Sequence, residues 1–193
     1  MVKSEIRILG IDDGAFTPRS TAMVPVVGVV FRGGKFFDGA LKTEVAVDGN
    51  DATDAIAKLI NNSRHKQQLK VLITDGITVG GFNVIDIKML HEATGLPVIV
   101  VNRKKPDINK VKKGLKHFGD FEKRWKAVKN AGKIKEFVVK DGRKIFYQVV
   151  GMEDEEARDV IKLSSTHSYI PEPLRAAHLI ATAFVKGESA GRA

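Results

Sequence analysis

Two short apolar runs, residues 6–11 and 69–74, each stop at an aspartate, and this constrains the fold more than any other feature. Ile6 to Ile11 leads into Asp12-Asp13-Gly14, and Leu69 to Thr74 into Asp75-Gly76. Runs of this length, apolar at nearly every position, suit strands buried on both faces of a sheet rather than surface helices. In such sheets ligands gather beyond the carboxyl ends of the strands. If the two strands are neighbours, Asp12 and Asp75 come close together. Two carboxylates at that range repel unless a cation sits between them, and Mg²⁺ or Mn²⁺ suits an oxygen-only donor set. The simpler alternative for each aspartate alone is a turn-starter before glycine.

The remaining pattern places these strands in a mixed α/β order. Residues 22–31 and 36–47 read as strands, joined by the glycine turn Arg32-Gly33-Gly34-Lys35. Leu41, Thr43, Val45 and Val47 alternate onto one face. Ala52, Ala55, Ile56, Leu59 and Ile60 form one helical stripe, which Asn50 or Asp51 can cap. Further helices are expected over 85–93, 108–117, 121–131, 153–163 and 173–185, and another buried strand over 97–101. Residues 134–139 and 144–150 flank Asp141-Gly142 as a second hairpin. The expected architecture is a single α/β domain: three antiparallel strands, then parallel strands, flanked by helices, with a basic helical and hairpin insertion. Residues 187–193 are expected to fray.

Charge narrows the class of partner. The 193 residues carry a formal net charge of +9. Between Arg103 and Lys129 eleven Lys and Arg face three acids, which accounts for nearly all of the excess. A concentrated basic segment suits a polyanion such as DNA, with RNA as an alternative, and Lys112, Lys113, Lys116 and Arg124 are its candidate phosphate contacts. A solvated helical face is the competing use. Trp125 and Phe121 stand at helical spacing, for core packing ahead of base stacking. Gly80-Gly81-Phe82 lets backbone approach a phosphate or a base, or serves as a plain connector. His65, His91 and His117 read as exposed. Without cysteine there is no disulfide-linked partner, thiol catalysis or cysteine-held zinc. No apolar run is long enough to span a membrane, and the N-terminus enters strand-like sequence without a signal peptide. These features fit a cytoplasmic protein and leave oligomeric state open.

The order of elements resembles the ribonuclease H-like superfamily. The words Ile8-Leu9-Gly10-Ile11-Asp12-Asp13-Gly14, Val47-Asp48-Gly49-Asn50-Asp51, Leu72-Ile73-Thr74-Asp75-Gly76 and Ile170-Pro171-Glu172-Pro173-Leu174-Arg175-Ala176-Ala177-His178 resemble the archaeal endonuclease dU family, which is similar to endonuclease V. The resemblance implies a metal-dependent endonuclease that nicks DNA at or near deaminated bases, deoxyuridine first. It further implies Asp12, Asp48 and Asp75 as metal ligands, and Arg103 or Lys104 facing the scissile phosphate. Endonuclease V closes its site with a Pro-Gly-His-Arg type of word. This chain has Pro171-Glu172-Pro173-Leu174-Arg175 there, so Glu172 or His178 is the candidate fourth residue. Two readings from other classes remain beside it: a non-catalytic nucleic-acid-binding protein on the same fold, and an actin-like ATPase, which the short chain disfavours.

Overall fold

The computed structural model describes residues 2–189. The strands are β1 (Arg7–Asp13), β2 (Met23–Arg32), β3 (Phe36–Ala46), β4 (Leu69–Asp75), β5 (Thr78–Val79), β6 (Asn83–Val84), β7 (Val98–Asn102), β8 (Lys135–Lys140) and β9 (Arg143–Val150). The helices are α1 (Ala52–Asn61), α2 (Ile87–Thr94), α3 (Ile108–Leu115), α4 (Phe121–Asn130), α5 (Asp154–Ser164) and α6 (Glu172–Lys186).

Seven strands form one sheet in the order β3-β2-β1-β4-β7-β9-β8, and β5-β6 is a separate small hairpin. β1, β2 and β3 pair antiparallel, while β1, β4 and β7 run parallel. β9 returns antiparallel on β7, and β8 pairs with it. The 134–150 hairpin expected as an insertion thus extends the sheet itself. The expected tail falls partly on residues 190–193, which lie outside the described residues. Gly187, in a left-handed conformation, ends α6.

Both faces of the sheet are covered, which is why β1 and β4 are apolar at successive positions. Leu9, Ile11 and Leu72 pack with Ile56 and Ile60 of α1 and with Ile87 and Leu90 of α2. Ile8, Ile73 and Val101 pack on the other side with Val160 and Ile161 of α5 and Leu174 of α6. Gly10 permits the tightest approach: a Cβ there would lie 2.3 Å from the Pro173 carbonyl carbon. The first turn of α6 therefore rests on the β1 backbone and fixes where the rest of that helix runs.

Candidate active site

Register brings the first two candidate residues together. Ile11 pairs with Thr74 across parallel strands, so Asp12 and Asp75 leave neighbouring strand ends at one level. Asp12 is buried, and its Oδ2 lies 2.9 Å from Nδ1 of His178, a turn and a half into α6. Oδ1 accepts the backbone N–H of Asp13. The hydrogen bond to Asp12 holds the His178 imidazolium above its usual range, against the opposing effect of burial. The Asp75 carboxyl is pushed up to about 6, first by burial and then by the charge of Asp12. Arg103, 3.7 Å from Asp75 Oδ2, pulls the other way. Two carboxylates thus share this strand end with Arg103 and His178, and its donors are hard oxygens with one imidazole beside them. That donor set fits a divalent ion of the Mg²⁺ or Mn²⁺ type, which needs only one or two carboxylates. Among the described residues, no three His, Asp or Glu side chains form a ready-made metal cage.

Strand alternation sends Asp13 to the opposite face, where a second set of contacts forms. Its Oδ2 accepts the Gly80 N–H at 2.6 Å. Burial, then the nearby charge of Asp12, raises the Asp13 carboxyl to about 7 while the Gly80 N–H opposes the rise. The Gly80 carbonyl in turn accepts the Asp48 N–H at 2.7 Å, and Asp48 Oδ1 accepts the Phe82 N–H at 2.8 Å. Asp48 has φ +53°, and Gly81 φ +90°. A side chain at Gly81 would sit 2.3 Å from Asp48 Oδ1. The 80–82 turn is thus gripped from both ends by aspartates. It borders a groove of about 810 Å³ whose lining includes Phe16, Asp48, Phe82, Lys113 and Phe118.

A metal-suited strand end beside a basic, aromatic groove is where the comparisons with known proteins become informative. The family model for endonuclease dU matches residues 4–185. This chain belongs to the endonuclease dU family. It is 53% identical over 193 residues to a UPF0215 protein of Methanothermobacter thermautotrophicus, covering 100% of this chain and 94% of that one. A Pyrococcus furiosus relative, also named a UPF0215 protein, is 43% identical over 190 residues, covering 97% and 96%. A crystal structure of a protein of unknown function from Archaeoglobus fulgidus superposes with TM-score 0.84 at 38% identity, covering 94% of this chain and 99% of that one. Ciona intestinalis endonuclease V, in complex with a 24mer DNA containing an inosine followed by a ribo-adenosine, superposes with TM-score 0.65 at 16% identity, covering 95% and 87%. The fold is that of endonuclease V, a ribonuclease H-like fold, as the order of elements implied. Family and fold together point to a nuclease.

Within this family member the other candidates separate. Lys112, Lys113 and Lys116 of the basic segment are exposed. Lys112 lies over the half-buried Trp125 ring, 5.1 Å from its centre, and that ring stacks on Phe121. Arg124 has a different task from the phosphate contact expected of it. It is 5% exposed, bonds Asp120, donates to the Phe82 and Asp48 carbonyls, and stacks over Phe118. Glu172 is equally buried and bonds the Arg175 guanidinium and the His167 backbone N–H. Of the two candidates for the fourth position, His178 is therefore the one in contact with Asp12. Lys104 is exposed at the end of β7. His117 is exposed as expected, but His65 packs on Gly39 and His91 on Gly151, each half-buried. Sequence reasoning passed over Asp13, Phe16 and Phe118. For Asp13 the signal was present, since consecutive aspartates at a strand end must face opposite ways. Among the described residues no helix is long and apolar enough to cross a membrane.

Proposed function

We propose that this protein is a divalent-metal-dependent endonuclease that nicks DNA at or beside deaminated bases, deoxyuridine first. One observation carries the reading: Asp12 and Asp75 stand at adjacent strand ends, each in the other's field, with His178 bonded to Asp12. These two carboxylates are the residues that would hold Mg²⁺ or Mn²⁺. A bound ion of this kind supplies a Lewis acid to phosphate oxygens and makes a coordinated water more acidic. His178 orients the Asp12 carboxylate, in the manner of groups that position metal ligands from behind. Arg103, beside Asp75, and Lys104 offer positive charge to the scissile phosphate. The exposed lysines of α3 hold the backbone, and the groove at Gly80, Gly81 and Phe82 receives the flipped base, because a stacked base cannot be inspected.

The test is incubation with end-labelled duplexes carrying one mismatched deoxyuridine, one mismatched deoxyinosine or only normal pairs, with Mg²⁺, Mn²⁺ or chelator. Nicking of lesion strands only, abolished by chelator, is the expected result. Retained binding without cutting under any metal would select a non-catalytic DNA-binding protein instead.

A further inference from the structure

The groove contains a carboxylate that the cleavage reading leaves unused. Phe16, Phe82 and Phe118 all line this groove; Phe16 reaches Gly81, and the Phe82 and Phe118 rings stand 5.6 Å apart, centre to centre, tilted by 52°. Arg19, Lys110 and Lys113 also line the groove. An aromatic lining of this kind offers a planar base a surface to rest on, while the cations nearby meet its phosphates. Asp48 stands in this lining. Its backbone is pinned by Gly80 and by the Arg124 guanidinium, and its Oδ1 by the Phe82 N–H. The carboxylate is thus held at the wall of this groove, on the 80–82 turn that Asp13 also grips.

Deamination changes one edge of a base in a way such a group can read. Cytosine N3 and adenine N1 are acceptors, whereas uracil N3 and hypoxanthine N1 carry a hydrogen. A carboxylate accepts that hydrogen and repels the lone pair of the parent base. We propose that Asp48 is a specificity-determining residue that accepts the lactam N–H of a flipped uracil or hypoxanthine and rejects cytosine and adenine. The proposal rests on the endonuclease reading, and it moves Asp48 from the metal, where the family resemblance placed it, to the base. Thymine and guanine carry the same N–H. They are set apart by pairing, since a lesion in a mismatch costs less to flip.

The experiment uses single strands, so that pairing does not contribute. Each is built of adenine and cytosine nucleotides apart from one deoxyuridine, N3-methyldeoxyuridine or deoxycytidine, and the full-length protein is compared with Asp48→Asn. Wild type is expected to cut the deoxyuridine strand about tenfold or more better than the other two, the factor one charge-assisted hydrogen bond supplies. Asn keeps an oxygen for the Phe82 N–H and turns an amide NH₂ to the groove. The variant should therefore bind Mn²⁺ as wild type does, while its preference for deoxyuridine over deoxycytidine falls towards one or inverts. An unchanged preference in Asp48→Asn overturns the proposal, and so does lost Mn²⁺ binding, which would make Asp48 a ligand. Metal-free binding to the same strands separates the two readings. Wild type that cuts nothing yet binds deoxyuridine in preference to deoxycytidine, with Asp48→Asn losing that preference, sinks the nuclease reading and keeps this one. Wild type that neither cuts nor discriminates sinks both.

Discussion

Asp12 Oδ2 and His178 Nδ1 meet at 2.9 Å, joining the end of the central strand β1 to helix α6. The contact exists because α6 lies directly on β1, with the Pro173 backbone over Gly10. The candidate metal-binding carboxylate is thereby contacted by an element distant in sequence, whose seat on β1 depends on one glycine.

Gly10→Ala should show this dependence. The added methyl meets Pro173 backbone atoms, which cannot rotate away as a side-chain end would. Overpacking of this kind costs about 1–3 kcal/mol. Melting temperature should fall, and cleavage by the folded fraction should fall with it, because α6 must shift and carry His178 off Asp12. Full cleavage at a lowered melting temperature would separate helix position from catalysis.

Asp75→Asn keeps the side-chain shape and removes a charge from a crowded strand end. Cleavage and Mn²⁺ binding should drop to near background for this variant and for Asp12→Asn. The double variant should be little worse than either single one, since both act on one ion. Metal-free DNA affinity should be unchanged or tighter, because a charge that repels phosphate has gone. Isotherms for Mn²⁺ and gel shifts in chelator check the two halves independently. Wild-type cutting by both variants would place the active site elsewhere.

How far these residues were legible follows from where their partners lie. Asp12 and Asp75 could be read because each ends a nearly continuous apolar run and a parallel sheet leaves few ways to arrange such strands. Which face each used, and that Thr74 stands opposite Ile11, needed the register. Arg124 could not be read: nothing in α4 shows that the Phe82 and Asp48 carbonyls lie within reach of its guanidinium. Glu172 is a mixed case: its ion pair with Arg175 lies at i,i+3 within α6 and is local, whereas its burial is a tertiary outcome. Asp48 was found by position but its geometry was hidden, because a φ of +53° at a non-glycine residue reflects the turn it grips.

Far from the site, Tyr147 makes a pH-dependent contribution to stability. Its buried hydroxyl donates to Asp154 Oδ1 at 2.7 Å, beside Lys135 at 2.6 Å from the same oxygen. Burial and then the Asp154 hydrogen bond push the phenol up to about 12. A group whose pKa is raised on folding stabilises fully below its unfolded value, near 10, and loses that contribution as pH climbs towards 12. Asp154 has the opposite sign: Lys135 and then Tyr147 hold its carboxyl below the usual range, so its contribution is present above an unfolded value near 4 and lost as pH falls below it. Tyr147→Phe should lower stability by about 0.5–1.5 kcal/mol at neutral pH. The gap to wild type should close between pH 10 and 12 in chemical denaturation. A gap that is constant with pH would mean the hydroxyl contributes nothing through its proton.

The basic segment divides into structural and exposed cations, and a salt titration can tell them apart. Lys112, Lys113 and Lys116 are exposed, whereas Arg124 is spent inside the protein. Each lysine that neutralises a phosphate releases condensed counterions, so log affinity against log salt carries a slope of about −0.9 per contact on duplex DNA. Replacing all three lysines by Ala should make the slope shallower by up to about 2.7 and weaken binding alike for lesion and undamaged duplex, because backbone contacts carry no sequence information. Arg124→Ala should behave differently. It removes the donors that hold Phe82 and Asp48, so the fold should lose stability and the preference for lesion strands should fall, while the salt slope of the folded protein stays near wild type. A slope that falls for Arg124→Ala but not for the triple lysine variant would reverse the assignment and put the phosphate path on α4.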